Sequence, residues 1–397
     1  MEALLTVDEA LAAVLARVRP LPSEPARLED AGGRVLGTDA RATVDLPPFP
    51  SSAMDGFALR AQDAPGTLPV VERTAAGRPA SRALAPGEAM AIATGGVVPA
   101  GADAVIPVEY VVAHDNRVEI ADPVEPGANV RPRGGDVRAG DVVVPAGTSL
   151  GPAQIGALAA AGLAEVACAV RPRAAVVTTG TELRPPGEVL GPGQIYEANG
   201  VMLAAALAGA GASVKSIAAV ADDKEAHRAA LMAGLEADVL ITSGGVSVGP
   251  HDLVRGVEAD LGVEEVFWRV AVKPGKPVSF GVHGATLVFG LPGNPVSSLV
   301  CFELFVRPAL LALQGHASPE PAFALGVVSA AVQRNPQRDE FLRARSRLDH
   351  DRVLLEPVAG QESHMIARAA AADALVFVPR GDGELEVGET VRYLRLL

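Results

Sequence analysis

The chain has 397 residues, of which 49% are hydrophobic and 20% charged, so it exceeds one ordinary core and we expect two to four domains. Its formal net charge of −13 argues against binding nucleic acid through a basic field, because a phosphate polymer would be repelled. Two distant cysteines, Cys168 and Cys301, exclude a Cys-x-x-C zinc or redox motif and fit a reducing compartment.

The N-terminus is acidic and amphipathic and lacks the basic region of a signal peptide. The longest apolar stretch, over 155–164, is too short to span a bilayer. We therefore expect a cytoplasmic protein with no membrane partner.

The first third of the chain predicts one helix followed by a small β-rich domain. Apolar residues at helical spacing predict a helix over 4–18, ended by Pro20, and the proline-rich segment 21–50 reads as extended. Short apolar runs between glycine and proline turns predict a β-rich domain over 45–137. Its predicted strands are 69–71, 89–93, 104–107 and 118–120.

A strand over 142–144 then leads into a helix over 152–161, which Gly162 ends. We group this segment, 138–172, with the N-terminal residues 1–44 as one packing unit.

From residue 173 to 315, strands alternate with helices, which predicts a doubly wound, mostly parallel α/β domain. Asn199 is expected to cap the first helix, Asp222 or Asp223 the second, and Pro295 to open a long helix ending near Leu313. The predicted strands are 174–178, 214–220, 239–242, 263–272 and 286–289. Five further strand-like runs predict a C-terminal β domain over 322–397: 324–332, 341–348, 352–357, 374–378 and 391–396.

Acidic residues follow several strands of the α/β domain. Ligands of such folds lie beyond the carboxyl ends of the strands, where we place Glu182, Asp222 and Asp252. Mg²⁺ prefers one or two carboxylates together with phosphate oxygens and water. The alternative is that these acids are helix caps and solvated loop residues, which is strong for Asp222 or Asp223.

Glycine, serine and lysine dominate three further loops at this edge. In ITSGGVSVGPHD, glycines that let an anion approach stand among hydroxyls, which favours an anion site over a plain tight turn. In VKPGKPVSF, prolines stiffen a bend between two lysines, and phosphate binding and a solvated hairpin are equally supported. GLPGNPVSS places Asn294 as a helix cap with serines behind it. The candidate binding residues are Ser243, Gly244, Gly245, Ser247, Lys273, Lys276, Pro292, Gly293, Pro295 and Ser297.

The small β domain adds a second set of polar residues in glycine-rich loops: Asp55 in SSAMDGFA, Thr94 in IATGG and Asp136 in RPRGGD. A single aspartate before glycine is usually a turn residue, but turn formation alone explains three such loops in one small domain less well. Among the histidines there is no metal-binding spacing, and no G-x-S-x-G elbow supports a serine triad.

Taken together, these loops resemble in order and spacing the molybdopterin molybdenumtransferases of the MoeA type, to which the E domain of gephyrin also belongs. The most specific segments are SGGVSVG, KPGKP and LPGNP, and the resemblance runs from about residue 4 to the C-terminus. Thr181 and Gly135 stand where members often carry acids, which leaves the number of carboxylates at the metal open.

The resemblance implies an elongated homodimer of four-domain subunits, with the active-site cleft between the α/β domain of one subunit and the small β domain of its partner. It implies that adenylated molybdopterin binds with Mg²⁺, that molybdate is inserted at the dithiolene, and that AMP leaves. The implied catalytic residues are Asp55, Thr94, Asp136, Glu182, Asp222 and Asp252, the last three of them at the metal. The adenylyltransferase that supplies the substrate is an implied partner.

Two other functions remain open at this point. One is a non-enzymatic, peptide-binding scaffold of the gephyrin E-domain type, against which the retained acids Asp55, Asp136, Glu182 and Asp252 argue. The other is a nucleotide-processing hydrolase on the same α/β domain, against which the extra N-terminal β domain argues.

Overall fold

The N-terminal residues contribute to two different parts of the fold. The computed structural model describes residues 4–221, 223–245 and 253–396. The helix Val7–Leu15 begins at a capping box between Thr6 and Glu9 and packs into the core of the α/β domain. The chain that follows it instead pairs antiparallel with residues after the small β domain: Ser23–Arg27 with Glu165–Ala169, and Ala40–Arg41 with Val142–Val144.

The helix Pro152–Ala160 and the short 3₁₀ turn Leu28–Asp30 complete this unit around a core that includes Leu36, Leu150 and Leu158.

The small β domain is a six-stranded sheet. In spatial order its strands are Ala104–Pro107, Gly56–Leu59, Ala89–Ile92, Gly66–Thr74, Arg117–Ile120 and Val111–His114. Beside the sheet, Ser51–Ser52 pairs with Val130–Arg131. Four of the six strands match those that the sequence predicts.

The α/β domain has a six-stranded sheet whose first four strands are parallel and whose last two are antiparallel. In spatial order they are Ser213–Val220, Arg173–Thr179, Val239–Ser243, Thr286–Leu291, Ser279–His283 and Glu264–Trp268. The helices of this domain are Asn199–Gly209, Lys224–Gly234, Leu253–Asp260, Pro295–Cys301 and Arg307–Leu313. The predicted α/β class with β-rich flanking domains is confirmed.

Two details of the predicted sheet were wrong. The strand expected over 263–272 ends at Trp268, because Arg269 adopts a left-handed backbone with φ of 74°. The short strand Val272–Lys273 then joins the C-terminal sheet by pairing with Asp339–Asp349. Ser279–His283, read as part of a loop, is a strand that pairs antiparallel with Thr286–Leu291.

A single helical run from Pro295 to Leu313 lies against this sheet. Both of its ends agree with the helix predicted from the sequence, and its mean hydropathy of 1.8 would suit a membrane span by length and composition alone. However, 72% of it is buried inside the protein, as is typical of a core helix. Its middle turn, Phe302–Val306, is π-helical and precedes Pro308, whose nitrogen cannot donate a hydrogen bond.

The C-terminal domain is a closed barrel of five strands. The pairing of Asp339–Asp349 with Ala374–Val378 closes a ring that continues through Arg352–Pro357, Phe323–Val328 and Thr390–Arg395. Val332–Gln333 and Glu384–Leu385 form a separate ribbon, and Ile366–Ala369 is a single helical turn. The segment before that turn, 358–365, leaves the barrel and contacts the α/β domain.

Candidate functional site

The site lies where the strand order of the α/β sheet reverses. Arg173–Thr179 has Ser213–Val220 on one side and Val239–Ser243 on the other, so the loops after the two neighbouring strands separate and leave a crevice. A cavity of about 970 Å³ fills this crevice. We call it the main cavity; its polar lining residues include Thr178, Glu182, Glu197, Asn199, Ser243 and His364.

Asn199 holds the loops of the main cavity together. The sequence suggests that it caps the helix Asn199–Gly209, but its side chain makes no capping hydrogen bond. Its Nδ2 instead donates to Ser243 Oγ at 2.9 Å and to the Gly293 carbonyl at 2.7 Å. The capping prediction was therefore wrong, and the residue joins three strand-end loops.

Buried serines continue this network behind the cavity wall. Ser243 Oγ lies 3.4 Å from Ser298 Oγ and 3.3 Å from the Pro292 carbonyl, to which Ser298 also donates. Ser298 is fully buried, so its hydroxyl is committed to the protein. The amide of Val296, at the start of the helix Pro295–Cys301, donates to the Ser363 carbonyl at 3.1 Å and so is not free to bind an anion.

The glycine pair of the ITSGG loop is required by packing. Gly244 and Gly245 have φ of 96° and 68°, and a Cβ on Gly244 would lie 2.8 Å from both oxygens of Thr179. Both glycines also line the main cavity, as do Gly293, Pro292 and Pro295. The left-handed backbone alone explains why both positions are glycine, so these residues are not evidence of a bound ligand. The evidence for binding comes from the side chains around them.

A second cavity of about 630 Å³ adjoins the first and shares Pro277, Pro292, Asn294 and His364 with it. We call it the lysine cavity; Lys273, Lys276, Ser297, Arg338 and Ser363 also line it. Gly275 forms its bend with φ of 118°, and a Cβ there would lie 2.5 Å from the buried Cys301 sulfur.

The two lysines differ in their partners. Lys273 Nζ forms an ion pair at 2.8 Å with Glu340, whose side chain is only 8% exposed. Lys276 is exposed, and neither it nor the side chain of Arg338 has an acidic partner within the described ranges. Glu362 also lines the lysine cavity, so three basic side chains stand against two acidic ones, Glu362 and Glu340. The net charge remains positive, which suits a small oxyanion.

The C-terminal barrel supplies one wall of both cavities. Asn294 Nδ2 donates to Ser363 Oγ at 2.8 Å, and His364 lines both cavities. Arg343, 1% exposed, shapes this segment by donating to the carbonyls of Gly360, Glu362 and Met365. Burial lowers the pKa of Arg343.

Acidic side chains stand at the opposite side of the main cavity. Glu182 is exposed there, and among residues 4–221, 223–245 and 253–396 its carboxylate has no hydrogen-bond or ion-pair partner. Asp223 caps the helix Lys224–Gly234 by accepting from the Ala226 amide at 2.8 Å, which settles the choice of cap. Asp222, Ser247 and Asp252, predicted to bind metal or anion, lie outside the described residues.

No group of three or more potential ligands is assembled for a metal in the part of the chain that the structure describes. At the main cavity, Glu182 offers an exposed carboxylate that has no hydrogen-bond or ion-pair partner among the described residues. That donor set fits Mg²⁺, which takes one or two protein carboxylates and completes its shell with phosphate and water.

The predicted residues of the small β domain line neither cavity of this chain. Asp55 accepts from the Thr94 amide at 2.6 Å and from its hydroxyl at 3.0 Å, and these two bonds hold the pKa of Asp55 below its ordinary value. Asp136 is exposed on a neighbouring loop. Phe49 and Met54, beside Asp55, expose 38% and 40% of their surface.

Sequence reasoning missed four residues of the site. Asn199 was predicted as a helix cap and not as a site residue, and Glu197, two residues before it, was not singled out. Ser363 and His364 come from a different domain, and nothing local in the sequence places them near Asn294. Their contacts depend on how the C-terminal barrel packs against the α/β domain.

Comparisons with known proteins cover nearly the whole chain. Three family models match: the MoeA N-terminal region (domain I and II) over 5–162, a probable molybdopterin binding domain over 175–312, and the MoeA C-terminal region (domain IV) over 326–396. A protein of Mycobacterium tuberculosis named molybdopterin molybdenumtransferase 2 is 38% identical, over 91% of this chain and 92% of that protein.

A molybdopterin molybdenumtransferase of Haemophilus influenzae is 33% identical over 98% of both chains. Among solved structures, a molybdopterin biosynthesis MoeA protein of Pyrococcus horikoshii superposes with a TM-score of 0.81 at 32% identity, covering 99% of each chain.

Proposed function

Since the chain belongs to the MoeA family of molybdopterin molybdenumtransferases, we propose that it inserts molybdate into adenylated molybdopterin and releases AMP in molybdenum cofactor biosynthesis. The observation that supports this most directly is the pair of adjoining cavities. The larger has room for a bulky organic substrate, and the smaller is cationic. A reaction between a large organic phosphate and a small oxyanion needs such a pair.

The lysine cavity is the proposed molybdate site. Lys276 and Arg338 would attract the dianion, and the buried Ser297 hydroxyl lies in the same wall. Lys273, paired with Glu340, would orient the bend and add little net charge. Because His364, Pro277 and Pro292 border both cavities, an oxyanion held here stands next to the organic substrate.

The main cavity is the proposed site of adenylated molybdopterin. Glu182 would hold Mg²⁺ together with the substrate phosphates, and Asp222 and Asp252 are the proposed further ligands. The bound cation would offset the phosphate charge and polarise the phosphoanhydride. The protein's own contribution is positioning: Asn199 and the serines behind it fix three loops against one another before the substrate arrives.

We further propose that the site is completed in a homodimer by Asp55, Thr94 and Asp136 of a second copy. Asp55 is held in one orientation although it lines neither the main cavity nor the lysine cavity of its own chain, as far as the described residues show. Exposed apolar side chains flank it and also the rim of the main cavity, where Val189, Ile195 and Tyr196 are 95%, 54% and 46% exposed. Apolar surface on both faces favours their association.

A cytoplasmic location and transfer from the adenylyltransferase that makes the substrate are also proposed. The first rests on two free cysteines, which suit a reducing compartment, and the second on the need for a source of adenylated substrate.

Reconstitution tests the proposed function. Purified protein is mixed with adenylated molybdopterin, molybdate and Mg²⁺, and both AMP and metal-loaded cofactor are measured. We expect one AMP per loaded cofactor, with both products lost on removing molybdate or chelating Mg²⁺. Substrate binding without AMP release, under conditions where a related molybdenumtransferase turns over, would instead support a binding scaffold.

A further inference from the structure

Two polar groups of the main cavity have no role in the proposal above. Glu197 is only 7% exposed, yet its side chain lines the cavity. Its Oε1 accepts from the Gly200 amide at 2.7 Å, and no other hydrogen bond or ion pair to this carboxylate is made by the described residues. Oε2 and the remaining lone pair of Oε1 are thus left to accept hydrogen bonds from a ligand.

The position of Glu197 is set by its neighbour. A Cβ on Gly200 would lie 2.8 Å from Glu197 Oε2, so only glycine leaves room for the carboxylate against the start of the helix Asn199–Gly209. The absence of a side chain at residue 200 and the hydrogen bond from its amide together orient the acid.

Thr178, at the end of its strand, is a second and independent indication of a ligand. It lines the same cavity and is 1% exposed, and its hydroxyl has no hydrogen-bond partner within the portion of the chain that is described. Burying a hydroxyl without a partner costs free energy, so such a group usually serves a water or a ligand.

From these contacts we propose that Glu197 and Thr178 form the subsite that recognises the pterin ring of the substrate, an inference that rests on the proposed function. A pterin presents a ring N–H beside an exocyclic amino group, two parallel donors that match a carboxylate as a guanidinium does. Thr178 would bond a further polar atom of the ring. Adenine offers a donor beside an acceptor at its corresponding edge, so Glu197 also determines which heterocycle of the substrate enters.

The alternative is that Glu197 only caps the helix. Glu197→Gln separates the two roles, because the amide oxygen still accepts from Gly200 while the second acceptor and the charge are lost. Glu188→Gln is the matched control, because Glu188 is an exposed acid in the loop that precedes Glu197.

The probes are a 6-hydroxymethylpterin phosphate and its lumazine counterpart, in which a carbonyl replaces the amino group. Calorimetric titration should show wild type binding the pterin about 10- to 100-fold more tightly than the lumazine. Glu197→Gln should abolish that preference with an unchanged melting temperature, and Glu188→Gln should keep it. Equal wild-type affinities, or a Glu197→Gln variant that keeps the preference, would overturn the inference.

Thr178→Val gives a second test. Replacing an unpartnered buried hydroxyl by a methyl group should leave the melting temperature unchanged or raise it, while pterin affinity falls several-fold. A lower melting temperature with unchanged affinity would show a structural hydroxyl and contradict the proposal.

The two proposals fail in different ways. If wild type binds both phosphorylated probes equally and still releases AMP in reconstitution, only the pterin subsite is wrong. If it binds neither probe and releases no AMP, the proposed function fails with it.

Discussion

The main cavity and the Asp55 loop both present acids beside glycine turns, but they are organised differently. Around the cavity, Asn199, Ser243 and Ser298 bond one another across three loops, and Ser363 joins them from another domain. The Asp55 side chain bonds to Thr94 and is exposed, and the backbone of its loop bonds to Asn129 and Val108 of the same small β domain. The cavity is therefore held by contacts between two domains, whereas the Asp55 loop is held within its own domain and left open to solvent.

The largest effect should come from breaking the long-range support of the cavity. Arg343→Met leaves the carbonyls of Gly360, Glu362 and Met365 without their buried donor and should lower the free energy of unfolding by ~3–5 kcal/mol. Urea denaturation measures it. Arg347→Met, four residues along the same strand but exposed, should change stability by less than about 0.5 kcal/mol. Equal losses in both variants would mean that the segment 358–365 does not depend on Arg343.

The next prediction tests whether Asp55 of one subunit and Glu182 of the other form a single site. Asp55→Asn and Glu182→Gln should each reduce AMP release by about 10²–10³-fold, since each removes a positioned charge from the composite site. A hybrid dimer carrying one of each, purified through two tags, keeps one intact site and should recover about half of wild-type activity.

The matched control for that hybrid combines Asp55→Asn with Asp136→Asn. Both residues lie on the same side of the proposed interface, so neither site is intact and activity should stay at the level of the parents. A first hybrid as inactive as its parents would show that Asp55 and Glu182 do not meet across a dimer.

A smaller effect should distinguish the two lysines of the lysine cavity. Lys276→Met removes an unpaired charge and should raise the molybdate concentration for half-maximal rate by about tenfold, with stability unchanged. Lys273→Met should instead lower stability, because it leaves the buried Glu340 unpaired. Molybdate titration and thermal unfolding of both variants measure the two effects, and identical profiles would contradict the assignment.

The sequence could predict the loops of the site but not all of its side chains. Glycine and proline turns after predicted strands indicate that Gly244 and Pro292 lie at one edge of the sheet, because parallel strands end together. Lys276 lies beside them for another reason, since the strand before it belongs to the C-terminal sheet. Asn199 was expected to be a cap, since local pattern cannot show that its amide reaches Ser243 across 44 residues of chain. His364 depends on how two domains pack, which no local pattern records.

The smallest effect concerns how the Asp55 loop is prepared. The pKa of Asp55 is lowered first by the Thr94 amide and then by the Thr94 hydroxyl. Thr94→Val keeps the amide bond and removes only the hydroxyl, so the pKa of Asp55 should rise part of the way toward its ordinary value. Because a lowered pKa keeps the carboxylate charged as the pH falls, the acid limb of activity should move to higher pH in the variant.

Carbon-detected NMR titration of the aspartate carboxyls measures this directly and includes its own reference. The pKa of Asp45 is lowered by the Ala139 amide and by Arg133, neither of which the substitution touches, so its titration should not move. If Asp55 titrates identically in both proteins, the backbone amide alone prepares the acid. In that case we would assign the Thr94 hydroxyl to a contact with the partner subunit and not to the control of the pKa of Asp55.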